Sequence, residues 1–276
     1  VRRRKPSIYK SPEELRAMVR PGLLTAQALD AVRAAIRPGT TTAELDAIAE
    51  QTICDGGGIP NFQLVPGYRH TLCVSVNDEI VHGIPGARVL QAGDIVSVDA
   101  GAEVAGWNGD SAFTVVVPGG DPVVTAARQS LCDTTERALW HGVAALAHAQ
   151  NLHEVGAAVE DAIDETGAWG IVEDFTGHGI GRSMHEEPPV FNYRVRGAGP
   201  AVQPGLAVAI EPMVTAGTID SSTDADDWTV RTLDGSDAAH WEHSVAVHAD
   251  GIWVLTAADG GAASLAPLGV TPVPVP

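Results

Sequence analysis

Leu90-Gln-Ala-Gly-Asp-Ile-Val-Ser-Val-Asp99 and Val202-Gln-Pro-Gly-Leu-Ala-Val-Ala-Ile-Glu211 lie over each other without a gap. Gln91 meets Gln203, Gly93 meets Gly205, and each apolar run closes on a carboxylate, Asp99 or Glu211. Short apolar runs bounded by glycine read as strands, and such runs resemble one another by chance. Two further matches argue against chance. Glu44-Leu-Asp-Ala47 lies over Glu154-Val-Gly-Ala157, which brings Glu50 onto Glu160, Ile53 onto Ile163 and Gly57 onto Gly167. His82-Gly-Ile84 recurs as His178-Gly-Ile180. Three matches in one order describe two copies of a helix–helix–strand module, facing each other across a pseudo-two-fold axis. The expected fold is α/β (α+β), one domain around a shared central sheet rather than two independent units.

The rest of the chain fits that frame. Ser11 to Arg37 opens with Ser-Pro-Glu-Glu, which is helix-starting chemistry, and Pro21-Gly22 should kink or split that helix. Thr40 to Asp55 reads as a second helix stopped by Gly56-Gly57-Gly58; Ala126 to His148 and Leu152 to Glu165 read as two more. Strand-like runs are TLCVSVN (71–77), DIVSVDAG (94–101), SAFTVVV (111–117), LAVAIEP (206–212), WTVRTL (228–233), HSVAVHA (243–249) and IWVLT (252–256). The expected division is a basic extension (1–10), a single domain (11–256) and a Pro/Ala/Gly-rich tail (257–276), ordered to frayed and without chemistry.

With 35 Asp and Glu against 17 Lys and Arg, the formal charge is −18 at pH 7. Such a surface repels nucleic-acid phosphates, so DNA is not an expected partner. No run of about 18 apolar residues is available for a membrane span, and none follows the basic start VRRRKPSIYK to act as a signal sequence. Cys54, Cys73 and Cys132 are odd in number and widely spaced. They suit free thiols in a reducing cytoplasm and offer no CxxC knuckle. Val1 in first place fits an alternative start codon or a trimmed chain equally well.

The chemistry starts from carboxylates. In SVDAGAEVAGWNGDSAF (97–113), a turn centred between Val104 and Ala105 sets Asp99 directly opposite Asp110. Their Cβ atoms would then lie about 4.5–5.5 Å apart on one sheet face. Two inward anions repel unless a positive charge lies between them; the alternative is a pair of turn-flanking surface aspartates. The repeat adds Glu211. Strand alternation in HWEHSVAV (240–247) puts Glu242 on the face opposite Trp241, His243 and Val245, although a strand glutamate standing alone faces solvent. Four acids from four strands form an oxygen-rich pocket suited to Mn, Fe(II) or Co. With one imidazole added, the set fits a two-metal site with a bridging hydroxide and ions about 3.5–4 Å apart.

VHGIP (81–85), SVDAG (97–101), WNGDSA (107–112), GHGIGRSMHEEP (177–188), IEPM (210–213) and WEHS (241–244) occur in this order. Together they resemble the type I methionine aminopeptidases of peptidase family M24, in the short bacterial form, from about Ser11 to Thr256. The resemblance implies a pita-bread fold, a pseudo-two-fold repeat around a central, mostly antiparallel sheet. It implies five metal ligands, Asp99, Asp110, His178, Glu211 and Glu242, holding two divalent ions (Mn, Fe(II) or Co, with Zn also admitted). Asp110 and Glu242 would bridge both ions, Asp99 would chelate one, and His178 and Glu211 would complete the other. The implied reaction removes the initiator methionine from nascent chains in the cytoplasm when the second residue is small. A metal-bridged water attacks the first peptide carbonyl, and the substrate α-amino group binds one ion. Contact with the ribosome through the basic start is left open.

The same resemblance gives His82 the peptide backbone beyond the cleaved residue, His185 the scissile carbonyl, and Glu211 a proton shuttle. Phe62, Tyr68, Cys73, Met184 and Trp228 would surround the methionine side chain, and an apolar pocket with polarisable sulfur suits a thioether. Two departures stand out. The family's GYHGYP is here Leu64-Val-Pro-Gly-Tyr-Arg69, so Val65 replaces a tyrosine, and Met184 stands where bacterial members carry phenylalanine. A pocket of altered shape with looser methionine preference is expected. Glu186 and Glu187 match no metal position and read as scaffold; His70, His141, His148 and His153 gain no role. An X-Pro aminopeptidase or prolidase-like enzyme is the first alternative, but those usually carry an additional N-terminal domain for which this chain has no room. A non-catalytic pita-bread binding protein is the second, and it predicts lost ligands whereas all five are present.

Overall fold

The two helix-opening signals are used as the sequence writes them. In the computed structural model, which describes residues 7–276, Ser11 and Glu14 form a reciprocal capping box that starts α1 (Pro12–Ala35). Thr41 and Glu44 do the same for α2 (Thr42–Asp55). Each box satisfies two backbone N–H groups that a helix end leaves without partners. α3 (Pro122–Leu146) is capped by the Asp121 carboxylate, and α4 (His153–Asp164) follows it. α1 packs on α2 and α3 on α4, one pair for each half of the repeat. Residues 1–6 of the basic start lie outside the described residues.

Pro21 does not split the first helix, contrary to the sequence expectation; α1 runs unbroken for 24 residues. The Pro21-Gly22 step is instead where helix meets strand. A Cβ on Gly22 would stand 2.5 Å from the Leu255 carbonyl oxygen, and one on Gly109 would stand 2.7 Å from the Gly22 backbone nitrogen. Burial on both sides overrides the local helix-breaking preference.

A nine-stranded antiparallel sheet carries the repeat. Its path runs Ile59–Pro60, Ile95–Val104, Trp107–Val116, Glu242–His248, Ala207–Ile210, Gly177–Gly179, Glu186–Val190. Leu72–Val76 pairs with Ile95–Val104, and Gly251–Val254 pairs with Glu242–His248. Ile95–Val104 and Ala207–Ile210, the two strands that opened the sequence comparison, therefore flank the central pair symmetrically. The His-Gly-Ile match does not share that symmetry. His178 pairs with Ala209, whose counterpart Ser97 pairs with Ser75, whereas His82 follows a short strand with φ +61°. Identical tripeptides here occupy unrelated backbone positions.

The first hairpin also differs in register from the expectation. Val104 pairs with Trp107 across a two-residue Ala105-Gly106 turn, both residues with positive φ (53° and 77°). That is the type I′ geometry matched to strand twist. Asp99 consequently faces Ala112, and Asp110 faces Gly101. The error is two residues, so period-two alternation keeps both carboxylates on the same face.

The core lies between this sheet and the helices, with Leu45, Val98, Leu139, Val159 and Ile210 fully buried in one cluster. From the 257–276 segment, Leu265 and Val270 join that cluster, and Arg16 donates to the Pro276 carbonyl at 2.6 Å. Helix propensity favours alanine over glycine by about 1 kcal/mol at a helix interior, yet Gly22→Ala should destabilise. Overpacking against backbone costs about 1–3 kcal/mol, and urea unfolding should show a lower midpoint than wild type.

Candidate metal centre

One row of residues crosses the sheet centre. Asp99 pairs with Ala112, and Ala112 pairs with Glu242. His243 pairs with Ile210, so continuing that register by one residue brings Glu211 beside Glu242. Partners in register share a face, and the small Ala112 leaves open the space between the flanking acids. Asp110, two residues along from Ala112, joins the same face. His178 enters from the next strand, paired with Ala209. The backbone beneath is cross-tied: the Ser111 hydroxyl donates to the Glu242 carbonyl (2.6 Å) and the Ser244 hydroxyl to the Asp110 carbonyl (2.7 Å).

The donor atoms gather in overlapping triads. Atoms of Asp99, Asp110 and Glu242 lie within 4.8 Å of one another, as do those of His178, Glu211 and Glu242. Asp110, His178 and His185 form a third group on the same criterion. Asp99 Oδ1, Asp110 Oδ1 and Glu242 Oε1 are buried without any hydrogen-bond partner. His178 Nδ1 is 3.0 Å from the Gly179 carbonyl and can only donate there. Its Nε2 then carries a lone pair, yet it faces Glu211 Oε1 at 3.4 Å and Asp110 Oδ2 at 3.8 Å. Acceptors aimed at acceptors in a buried space are satisfied by cations. The set therefore fits divalent metal, with carboxylates and one imidazole as donors.

Burial sets the protonation of the cluster. It raises the Asp99 carboxyl to about 8. It pushes Asp110 well above the carboxylate range, helped by Asp99 and Glu211, and likewise Glu211, helped by Asp99. Glu242 rises for the same reason, with Asp110, Glu211 and Asp99 adding repulsion. Burial lowers His178 to about 4, and lowers His82 and His185, with the proximity of His185 adding to the effect on His82.

Every residue that the sequence nominated lines one cavity of about 220 Å³. The carboxylates form one end. Phe62, Tyr68 and Cys73 form a buried apolar cluster at the other, with Val65, Ile84, Met184 and Trp228 packed against it. Cys73 pairs directly with Asp99, which joins the two ends. The Tyr68 hydroxyl donates to the Leu72 carbonyl (2.6 Å) and receives the Cys73 thiol (3.3 Å), and its ring meets Trp228 edge-on at 4.9 Å. His185 stands at the rim, its ring 4.4 Å from that of His178, and His82 packs edge-on against Phe175 at 5.4 Å. Glu186 points away from the donors to Lys10 (2.9 Å) and to the Ser183 amide.

His240 lines the same cavity and was not foreseen. The alternation that put Glu242 inward also puts inward the residue two positions before it, and that signal was available. Val81, Phe175, Thr176 and Met213 complete the wall; of these, the loop-borne Phe175 carries no such periodic mark.

A pseudo-symmetric sheet holding a buried carboxylate–imidazole cluster beside an apolar pocket is the architecture of a metallopeptidase. The sequence profile of metallopeptidase family M24 matches residues 16–249, and the chain belongs to that family. Methionine aminopeptidase 1 of Mycobacterium tuberculosis is 43% identical over 253 residues, covering 90% of this chain and 94% of the relative. Methionine aminopeptidase 1 of Bacillus subtilis is 41% identical over 249 residues, covering 90% and 98%. The crystal structure of a Thermotoga maritima methionine aminopeptidase superposes with a TM-score of 0.85 at 34% identity, covering 90% of this chain and 98% of that one. The fold is the pita-bread fold that the resemblance implied.

A carboxyl whose folded-state pKa is raised binds its proton longer in the folded than in the unfolded chain. Stability of the metal-free protein must then fall as pH rises from about 4, the unfolded value, to about 8 for Asp99. Metal-free Asp99→Asn should melt several degrees above metal-free wild type at pH 8, with the gap closing toward pH 4. Equal melting temperatures at pH 8, read by calorimetric scans, would show that the Asp99 charge is not destabilising.

Proposed function

We propose that this chain removes an N-terminal methionine from peptides whose second residue is small, with two divalent ions held by Asp99, Asp110, His178, Glu211 and Glu242. The observation that carries this reading is the single cavity in which the donor cluster adjoins the Phe62–Tyr68–Cys73 apolar end. A methionine side chain directed into that end sets the first peptide bond over the carboxylates. Two triads sharing Glu242 support two ions: Asp99, Asp110 and Glu242 would hold one, and His178, Glu211 and Glu242 would hold the other. The oxygen-dominated donor set favours Mn, Fe(II) or Co, and Zn is also accommodated. Bound there, such ions supply Lewis acidity and a water of lowered pKa.

The protein's own groups do the rest. His178, its Nδ1–H committed to Gly179, presents a fixed Nε2. Glu211 takes a proton at one oxygen and returns it to the departing amine. His185, at the rim, donates to the scissile carbonyl oxygen as negative charge develops. His82, held at φ +61°, contacts the peptide backbone beyond the cleaved bond; a non-glycine residue in that region is the kind of strain found at functional sites. Val65 and Met184 leave a pocket wider than an aromatic lining would, so methionine preference is looser. Nascent chains in the cytoplasm are the implied substrate pool. Among the described residues no helix is long and apolar enough to cross a membrane.

Peptides beginning Met-Gly, Met-Ala, Met-Val, Leu-Gly and Ala-Pro, each tested with Mn, Fe(II), Co and Zn, check the assignment. Cleavage of Met-Gly and Met-Ala with weaker turnover of Leu-Gly is expected. Cleavage confined to Ala-Pro would transfer the chain to X-Pro hydrolysis, and no cleavage with any metal would make it a binding protein. Asp110→Ala or Glu242→Ala should lower kcat/KM at least about a thousandfold, since several kcal/mol of charge stabilisation depend on both ions. Steady-state kinetics at saturating metal measure it.

A further inference from the structure

We propose that His240 is a positioning residue that holds the outer oxygen of Glu211, leaving the other oxygen turned toward His178 and the donor cluster. The inference rests on the reading of Glu211 as a metal ligand and proton carrier.

The backbone of His240 is fixed from three sides. Its N–H is shared between the Thr114 (2.9 Å) and Ser97 (3.2 Å) hydroxyls, its carbonyl accepts from Thr114 (2.6 Å), and it pairs with Met213 across the strands. A side chain on so constrained a backbone has few directions open to it, and this one points into the cavity. Its Nε2 is buried and has no hydrogen-bond partner, a costly state for an imidazole nitrogen. It faces Glu211 Oε2 at 3.8 Å, with the His240 side chain only 4% exposed. Glu211 Oε1 meanwhile faces His178 Nε2 at 3.4 Å. The two carboxylate oxygens thus divide between two rings.

His240 is no further ligand of the cluster, because it belongs to none of the donor groups whose atoms lie mutually within 4.8 Å. It stands just outside, where a residue orients a ligand rather than supplies one. A hydrogen bond forms at about 2.7–2.9 Å when the acceptor is charged, roughly 1 Å closer than the present separation. A small side-chain rotation of Glu211 would close that gap. With Oε2 held by the His240 N–H, Glu211 keeps Oε1 on the metal side and has one defined orientation from which to pass a proton.

The test compares the full-length protein with His240→Leu, which removes the donor at similar volume, and His240→Gln, whose amide restores an N–H. Mn²⁺ binding to the metal-free protein is followed by titration calorimetry without peptide. Kinetics on a Met-Ala peptide are measured separately. The Leu variant should weaken the Mn²⁺ affinity about 10-fold or more and lower kcat about 10- to 100-fold with KM unchanged; Gln should recover most of both. If Leu is insoluble, His240→Asn, polar but too short to reach Glu211, should reproduce the loss. Wild-type Mn²⁺ affinity and kcat in the Leu variant would overturn the proposal. So would a raised KM at constant kcat, which means substrate contact, or a Gln variant as impaired as Leu, which means packing alone. Should wild type cleave no Met peptide, the peptidase reading fails, while the calorimetric contrast between Leu and Gln still reports on the His240–Glu211 contact.

Discussion

Three buried carboxylates and the half-buried Asp99 converge with an imidazole lone pair in a cavity that, among the described residues, is lined by no lysine or arginine. Two unit charges 4 Å apart repel by about 4 kcal/mol even at a generous interior dielectric, and several such pairs meet here. Much of the surrounding architecture can be understood as holding that arrangement in place. The Ser111 and Ser244 hydroxyls tie the two central strands to each other across the site. Thr114 ties its own strand to Ser97 on one side and to the His240 segment on the other. A centre built on cross-tied strands keeps its geometry better than one carried on loops, and that stiffness keeps the acids from relaxing toward solvent. Protons on the carboxyls relieve the repulsion, and divalent ions would relieve it further.

The same sheet joins recognition to chemistry. Cys73 and Asp99 are neighbours in one ladder, so the apolar end and the carboxylate end of the cavity are adjoining positions on paired strands. Little linker freedom separates them. Loop-borne residues adapt the rim: Trp228 is carried on an excursion anchored by Arg231, which pairs with Asp78, Glu79 and Asp224 at 2.9, 2.6 and 2.7 Å. The short strand containing Glu79 leads directly into His82. One arginine thus braces both the wall of the apolar end and the approach to a rim histidine.

Several parts of this centre were legible as pattern. Asp99 and Glu211 emerged from repeat position, Glu242 from strand alternation, and Asp110 from a hairpin whose register was misplaced by two residues without changing the face. That error was harmless because side chains alternate with period two. The His-Gly-Ile match misled for the opposite reason: three residues specify no backbone conformation, and one copy is in a strand while the other takes a positive φ. The Pro21-Gly22 step did not split the helix, because local propensity says nothing of a strand packed against it. His240 was missed although it shares the alternation of Glu242, since the strand pairing changes between them and its role depends on Glu211, which is remote in sequence.

By itself the sequence determined what is periodic or local: helix starts through their capping boxes, strand faces through alternation, the doubled architecture through its repeat, and an acid-rich composition. Tertiary structure alone decided the distances. Which oxygen faces which imidazole, which buried atoms lack partners, and how Cys73 comes to sit beside Asp99 depend on register across strands separated by long connections. Register is fixed by turn geometry and by burial of a whole face, and those are properties of the assembled sheet rather than of any one of its strands.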